Sequence, residues 1–334
     1  MALPSFDVYA GSRALVTGGL GFVGSHLAAR LADLGADVTI VDSLLPEYGG
    51  NLYNVRDIAD RVRVNLSDLR EPYATGALVQ GQDYVFNLAG QVSHIDSMED
   101  PQTDLEINAK ASLFLLEALR RHNPEAKIVY AASRQQYGRP QFLPVTEEHP
   151  LVPVDVNAIN MIAGEAYHLL YHQVYGIPAV SLRLTNTYGP HLLMKHGRQG
   201  FITVFIRRAL EGQDLQVFGD GQQLRDFTYV SDAVDAFLAA AITPDAYGQA
   251  LNIGGIEPVS LIGVAQLCQE IAGEGGTAAT VPWPPEREKI DIGSIYVSHD
   301  RMTEVTGWEP TVGLREGLET TFAFYREHGS HYWE

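Results

Sequence analysis

The sequence predicts an α/β fold: a doubly wound parallel sheet with a smaller C-terminal α/β lobe. Three observations carry that prediction. Short β-rich runs alternate with helical patterns from residue 12 to about 185. A glycine cluster, Gly18-Gly19-Leu20-Gly21-Phe22-Val23-Gly24, joins the first apolar run to the first amphipathic one. An acid, Asp42, closes the second apolar run.

Each element follows in order. Residues 13–17 read as a strand, the glycines as a tight turn, and 25–34 as an amphipathic helix. A pyrophosphate needs that arrangement. Glycines let the backbone approach the phosphates, and the helix start offers free N–H groups and a positive dipole end. Residues 37–41 form the next strand, and Asp42 follows where an acid meets the adenosine ribose hydroxyls. An acid there would repel a 2′-phosphate, so the pattern favours NAD over NADP. Further strands are expected at 61–66, 83–88, 126–132 and 178–184, with helices at 104–122 and 157–175 between them. In such sheets ligands bind beyond the carboxyl ends of the strands.

Past residue 185 the pattern changes. Helices are expected at 201–211, 231–241 and 311–328, and a Pro- and charge-rich loop at 277–292. The expected division is a dinucleotide-binding domain over 1–185, rejoined by some later segments, and a substrate lobe over 186–334.

Composition narrows the partners. The net charge of −18 repels nucleic acid and anionic membranes, so neither is an expected partner. Cys268 is the only cysteine, which excludes an internal disulfide and a cysteine metal cluster. His168 and His172 have i, i+4 spacing but lack an adjacent catalytic glutamate, so they read as interface or surface residues and no metal is expected. The first residues carry no basic or long apolar leader, and no apolar run reaches the ~18 residues of a membrane span. A cytoplasmic protein is expected.

With these runs in place, the chain closely resembles the extended short-chain dehydrogenase/reductase family, in particular its nucleotide-sugar epimerases and dehydratases. The resemblance runs nearly end to end. It rests on residues 17–24, Asp42-Ser43-Leu44, Asp68-Leu69, Asn87-Leu88-Ala89-Gly90-Gln91, Asn108, Ser133 with Tyr137-Gly138, residues 183–190, Arg225-Asp226 and Asn252-Ile253-Gly254. It implies a Rossmann-type domain, an NAD cofactor, a nucleoside-diphosphate sugar as substrate and a homodimer paired through helices 104–122 and 157–175. It also implies roles by position. Gly18, Gly21, Phe22, Val23 and Gly24 would hold the pyrophosphate. Asp42 and Ser43 would meet the ribose, Asp68 and Leu69 would flank the adenine, and Leu88, Ala89 and Gly90 would line the path to the nicotinamide. Gln91, Asn186, Arg225 and Arg287 would contact the sugar nucleotide, and Ser133 the reacting hydroxyl.

One part of the pattern is missing. The family's chemistry rests on Tyr-x-x-x-Lys, and no such motif occurs anywhere in the chain. Asn157 falls at the tyrosine position and Met161 at the lysine position. An amide does not titrate near neutral pH and a thioether carries no charge. Asn157 is therefore expected to orient the hydroxyl rather than deprotonate it. His94 and Asp96, just past the fourth strand, are the expected carriers of the displaced proton transfer. His191, Lys195 and His196 read as a solvated loop. Tyr167 and Tyr171 lie too far along the helix to replace the phenol. Three functions stay open: an epimerase- or dehydratase-type enzyme with a relocated acid/base, a protein that binds NAD and a sugar nucleotide with little turnover, and an enzyme running a step that needs no tyrosinate.

Overall fold

The computed structural model describes residues 2–45, 48–195, 200–284 and 292–333. Six strands come first: β1 (Arg13–Thr17), β2 (Asp37–Asp42), β3 (Val62–Leu66), β4 (Tyr84–Asn87), β5 (Lys127–Ser133) and β6 (Ala179–Leu184). Four short strands then leave the sheet: β7 (Asn186–Tyr188), β8 (Leu215–Phe218), β9 (Leu224–Arg225) and β10 (Phe227–Tyr229). The chain returns to it with β11 (Ala250–Ile253). The sheet order is β11-β6-β5-β4-β1-β2-β3, and every pairing in it is parallel.

Both faces of this sheet are covered, so its inner strands read as continuous apolar runs. Alternate side chains of β1 serve opposite faces. Ala14 and Val16 pack with Leu27 and Leu31 of the helix Phe22–Asp33 and with Phe237 of the helix Val230–Ile242. Leu15 packs with Leu115 and Leu119 of the helix Ala111–His122 and with Tyr171 of the helix Val156–Tyr175. A second core joins Ile206, Cys268 and Phe322 from three C-terminal helices. The remaining strands, β12 (Val259–Ser260) and β13 (Ala278–Val281), pair with β9 and β8.

Strand order reverses between β1 and β4, and their carboxyl ends open a crevice there. A buried polar network fixes one wall of it. Arg183 of β6 pairs with Glu165 at 2.6 Å and donates to the Tyr137 hydroxyl at 2.7 Å. That hydroxyl donates to Asn252 of β11 at 2.6 Å. Removing one member of such a buried pair typically costs about 3–5 kcal/mol. The network anchors the short 3-10 turn Arg134–Tyr137, which follows Ser133 directly.

Three local expectations change. The helix expected at 104–122 begins as Pro101–Asp104, widens into a π-helical turn at Leu105–Lys110, and becomes regular only at Ala111. Asp104 and Asn108, at the start of and within that wide turn, bond inward to the amides of Asn157, Asn160 and Gln91. Apolar periodicity does not report such a local change of pitch. The loop expected at 277–292 contains β13, whose four residues are too short to show a pattern. His168, expected at a surface or interface, is fully buried and stacks on Tyr130 at 4.4 Å. Among the described residues no helix is long and apolar enough to cross a membrane.

Candidate active site

The crevice opens into a cavity of about 510 Å³, within the range that holds small ligands. At one end lies the glycine turn. Gly18 has φ +66°, and a Cβ there would meet Leu88 O at 2.8 Å and Ala89 N at 2.9 Å. A Cβ on Gly24 would lie 2.3 Å from Gly18 O. These contacts let the turn lie flat against the β4 end, and Gly21 caps the helix Phe22–Asp33 without a side chain in the way. Backbone donors and a helix start therefore face the cavity, as a pyrophosphate requires.

Asp42 closes β2 beside this turn. Its two oxygens accept Leu20 N at 3.1 Å and Leu44 N at 2.8 Å. Burial raises its pKa, against the pull of these two bonds. A carboxylate has about four acceptor directions, so capacity remains for ribose hydroxyls. Asp68 grips Arg70 through both oxygens, the shorter contact being 2.6 Å. That hydrogen bonding lowers the Asp68 pKa despite partial burial. Gly18, Gly21, Phe22, Val23, Gly24, Asp42, Ser43, Asp68, Leu69, Leu88, Ala89 and Gly90 all border this one cavity. The set fits a dinucleotide: a cradle that a Cβ would fill, a helix start and a ribose-side acid.

At the far end stand Ser133, Arg134, Gln135, Met161, Asn186, Thr187, Gln91 and His94. Ser133 Oγ accepts Gln135 N at 3.2 Å, which leaves its own hydrogen to donate. The Gln91 amide folds back on the backbone of Ser93, donating to Ser93 O at 3.1 Å and accepting from Ser93 N. Asn186 accepts from Arg134 at 3.1 Å and donates to Asp226 O at 2.8 Å. His94 bonds the Asp155 carboxylate through Nδ1. Burial opposes charge on Asp155, but the His94 contact and the Ala158 N–H outweigh it, and its pKa is lowered.

Several expected residues stand elsewhere. Asn157 is buried and does not border the cavity. Its amide nitrogen donates to Gln91 O at 2.7 Å and to Asp104 at 3.0 Å, so it is not placed to orient a substrate hydroxyl. Asp96 also lies off the cavity, where its N–H is capped by Ser93 Oγ in the first turn of a short helix. Arg225 is buried, with Nη1 donating to Leu224 O at 2.8 Å and Gly293 O at 2.6 Å, and does not border the cavity. Arg287 and His196 lie outside the described residues. His191 is not part of a solvated loop. It borders the cavity and stacks on His26 at 4.4 Å, and burial brings its pKa down to about 3.

Two neighbours of the site were not expected from the sequence. Asp155 carried a helix N-cap signal, an acid just before an apolar run, but nothing in its position linked it to His94. Tyr130 borders the cavity, and its hydroxyl lies 3.4 Å from Met161 Sδ. Burial raises the Tyr130 pKa far above the ordinary phenol value, so it stays protonated and is no base.

The NAD dependent epimerase/dehydratase family matches residues 14–254. A UDP-glucose 4-epimerase of Mycolicibacterium smegmatis is 32% identical over 316 residues, covering 94% of this chain and 98% of the relative. UDP-glucuronic acid decarboxylase 1 of Xenopus tropicalis is 31% identical over 329 residues, covering 96% of this chain and 73% of the relative. The crystal structure of a UDP-glucose 4-epimerase with UDP-glucose, from Thermotoga maritima, superposes with a TM-score of 0.86 at 28% identity, covering 95% of this chain and 99% of that one. A matching family, a parallel sheet with its crevice at the β1/β4 reversal and a glycine cradle sized for a dinucleotide agree: the chain belongs to the NAD dependent epimerase/dehydratase family and is an enzyme that uses NAD.

Proposed function

We propose that the enzyme modifies a nucleoside-diphosphate sugar by transient oxidation of a ring carbon, as an epimerase or dehydratase does, with His94 and Asp155 as its acid/base couple. The relatives named for UDP-sugars support the substrate class. The observation that carries the mechanism is the contact between His94, at the cavity wall, and the buried Asp155 carboxylate. Asp155 fixes the imidazole with its proton on Nδ1, which leaves the Nε2 lone pair to take a proton. Bound NAD supplies acceptance of a hydride from the hydroxyl-bearing carbon and its later return. Ser133 holds that hydroxyl, and His94 Nε2 takes its proton and gives it back. Asn157 and Met161 stand where the family's phenol and ammonium are expected. In this reading they are structural, with Asn157 tying the helix Val156–Tyr175 to Gln91 and Asp104.

Pairing of two chains belongs to the same proposal. Ile159, Leu170, Val174 and Tyr175 are exposed on the helix Val156–Tyr175, and Leu105 is exposed on the neighbouring π turn. Apolar side chains gathered on neighbouring elements fit a dimer seam.

One observation favours a second reading, binding without turnover: Tyr130, the phenol that stands at the cavity beside Met161, is buried and its pKa is raised, so it supplies no base. A panel test separates the two. The NAD-loaded protein is incubated with UDP-, dTDP- and GDP-sugars, and products are followed by NMR together with transient NADH absorbance. Conversion of one member supports the proposal. Binding across the panel with no conversion and no absorbance change supports the second reading.

A further inference from the structure

Arg134 is the feature of the cavity that the chemistry above leaves unused. It follows Ser133 directly, so its backbone lies one residue, about 3.8 Å, from the group proposed to hold the reacting hydroxyl. Among the described residues its guanidinium is braced by one hydrogen bond, Nη2 to Asn186 Oδ1 at 3.1 Å. Asn186 is itself fixed by Asp226 O and by the β7–β10 pairing. A guanidinium has five donors in a planar fork, so most remain available to a ligand. Asp226, buried nearby, attracts the charge but forms no ion pair with it among the described residues. Two further groups bordering the same space have no hydrogen-bond partner: Thr187 Oγ1 and Gln135 Oε1. Thr187 can donate to an anion, and Gln135 can accept from a neighbouring hydroxyl.

We propose that Arg134 recognises a carboxylate carried by the sugar ring, which makes the substrate a nucleoside-diphosphate uronic acid. This deepens the functional reading above and rests on it. Ser133 and Arg134 project from adjacent residues. A hexose held through one ring hydroxyl by Ser133 therefore has its other substituents within reach of the guanidinium. A planar carboxylate matches the fork through two parallel hydrogen bonds. A neutral hydroxymethyl group in the same place offers one uncharged acceptor and leaves the guanidinium with only the unbonded attraction of Asp226, so the site favours the acid.

The test is calorimetry on the NAD-loaded protein with UDP, UDP-glucose, UDP-glucuronate and the pair GDP-mannose and GDP-mannuronate. Within the pair whose base the protein accepts, the wild type is expected to bind the uronate at least about tenfold more tightly, the range of a charge-assisted hydrogen bond. Arg134→Ala is expected to erase that preference, with affinity for the nucleoside diphosphate alone changed by less than about twofold. Arg134→Lys keeps the charge without the fork and should retain part of the preference. Nucleotide binding with no uronate preference in the wild type would overturn the proposal, even if the variants misfold. Equal weakening of the nucleoside diphosphate and both sugars by Arg134→Ala would overturn it too, assigning Arg134 to the diphosphate. Binding of no nucleotide at all would remove the functional reading itself, and this inference with it.

Discussion

The Asn157 amide nitrogen lies 3.0 Å from Asp104 Oδ2, and Asn160 reaches the other oxygen of the same carboxylate at 2.7 Å. The side chain expected at the phenol position thus faces the protein interior, where it neutralises the polarity of a fully buried acid. Asn157→Ala removes one donor from Asp104 and one from Gln91 O. Gln91 O keeps a donor in Asn108 and Asp104 keeps Asn160, so the loss centres on Asp104 Oδ2 and should lower the unfolding free energy by about 1–3 kcal/mol. Urea denaturation measures this. A loss below about half a kcal/mol would show that the amide is dispensable.

The glycine cradle makes a second prediction. A methyl on Gly24 would sit 2.3 Å from Gly18 O, a distance that only backbone movement can relieve. Gly24→Ala should carry at least about tenfold less bound NAD than the wild type, because the turn can no longer approach the phosphates. Nucleotide released on denaturation reports it. Full occupancy in the variant would show that the cofactor does not lie on this turn.

Stability should depend on pH through His168. Burial brings its pKa down from 6.5 to about 4, against the effect of its contact with Gly164 O at 2.7 Å. Between those values the unfolded chain binds the proton and the folded chain does not. Stability therefore falls as pH drops from 6.5 to about 4, and the contribution is fully present above 6.5. The shift amounts to roughly 3 kcal/mol. His191, brought down to about 3, adds to the same decline. Denaturation midpoints of the wild type and His168→Gln at pH 7.5 and 5 should converge as the pH is lowered. A constant gap would mean that His168 does not titrate on unfolding.

Local chemistry was legible in the sequence, and long-range pairing was not. The glycine turn and Asp42 could be read because strand, turn, helix and acid fall within about thirty residues and each has its own backbone requirement. The resemblance placed Arg225 against the sugar nucleotide, yet its guanidinium donates to the carbonyls of Leu224 and Gly293. A sequence shows that an arginine is present but not which acceptors fold around it. His94 could be singled out because it follows a strand end. Its partner Asp155 lies 61 residues on and meets it only after the helix Val156–Tyr175 docks. The inward turn of Asn157 depends on Asp104, at the entrance to a π-helical segment that leaves no periodic trace.

The central claim is that His94, held by Asp155, carries the proton that the family's phenol would otherwise carry. Its most direct test compares turnover of wild type and His94→Gln on the sugar nucleotide converted in the panel, with bound NAD and substrate affinity measured alongside. The account predicts a fall in kcat of about 10²- to 10⁴-fold with both binding measurements unchanged. Turnover by His94→Gln equal to that of the wild type would contradict it.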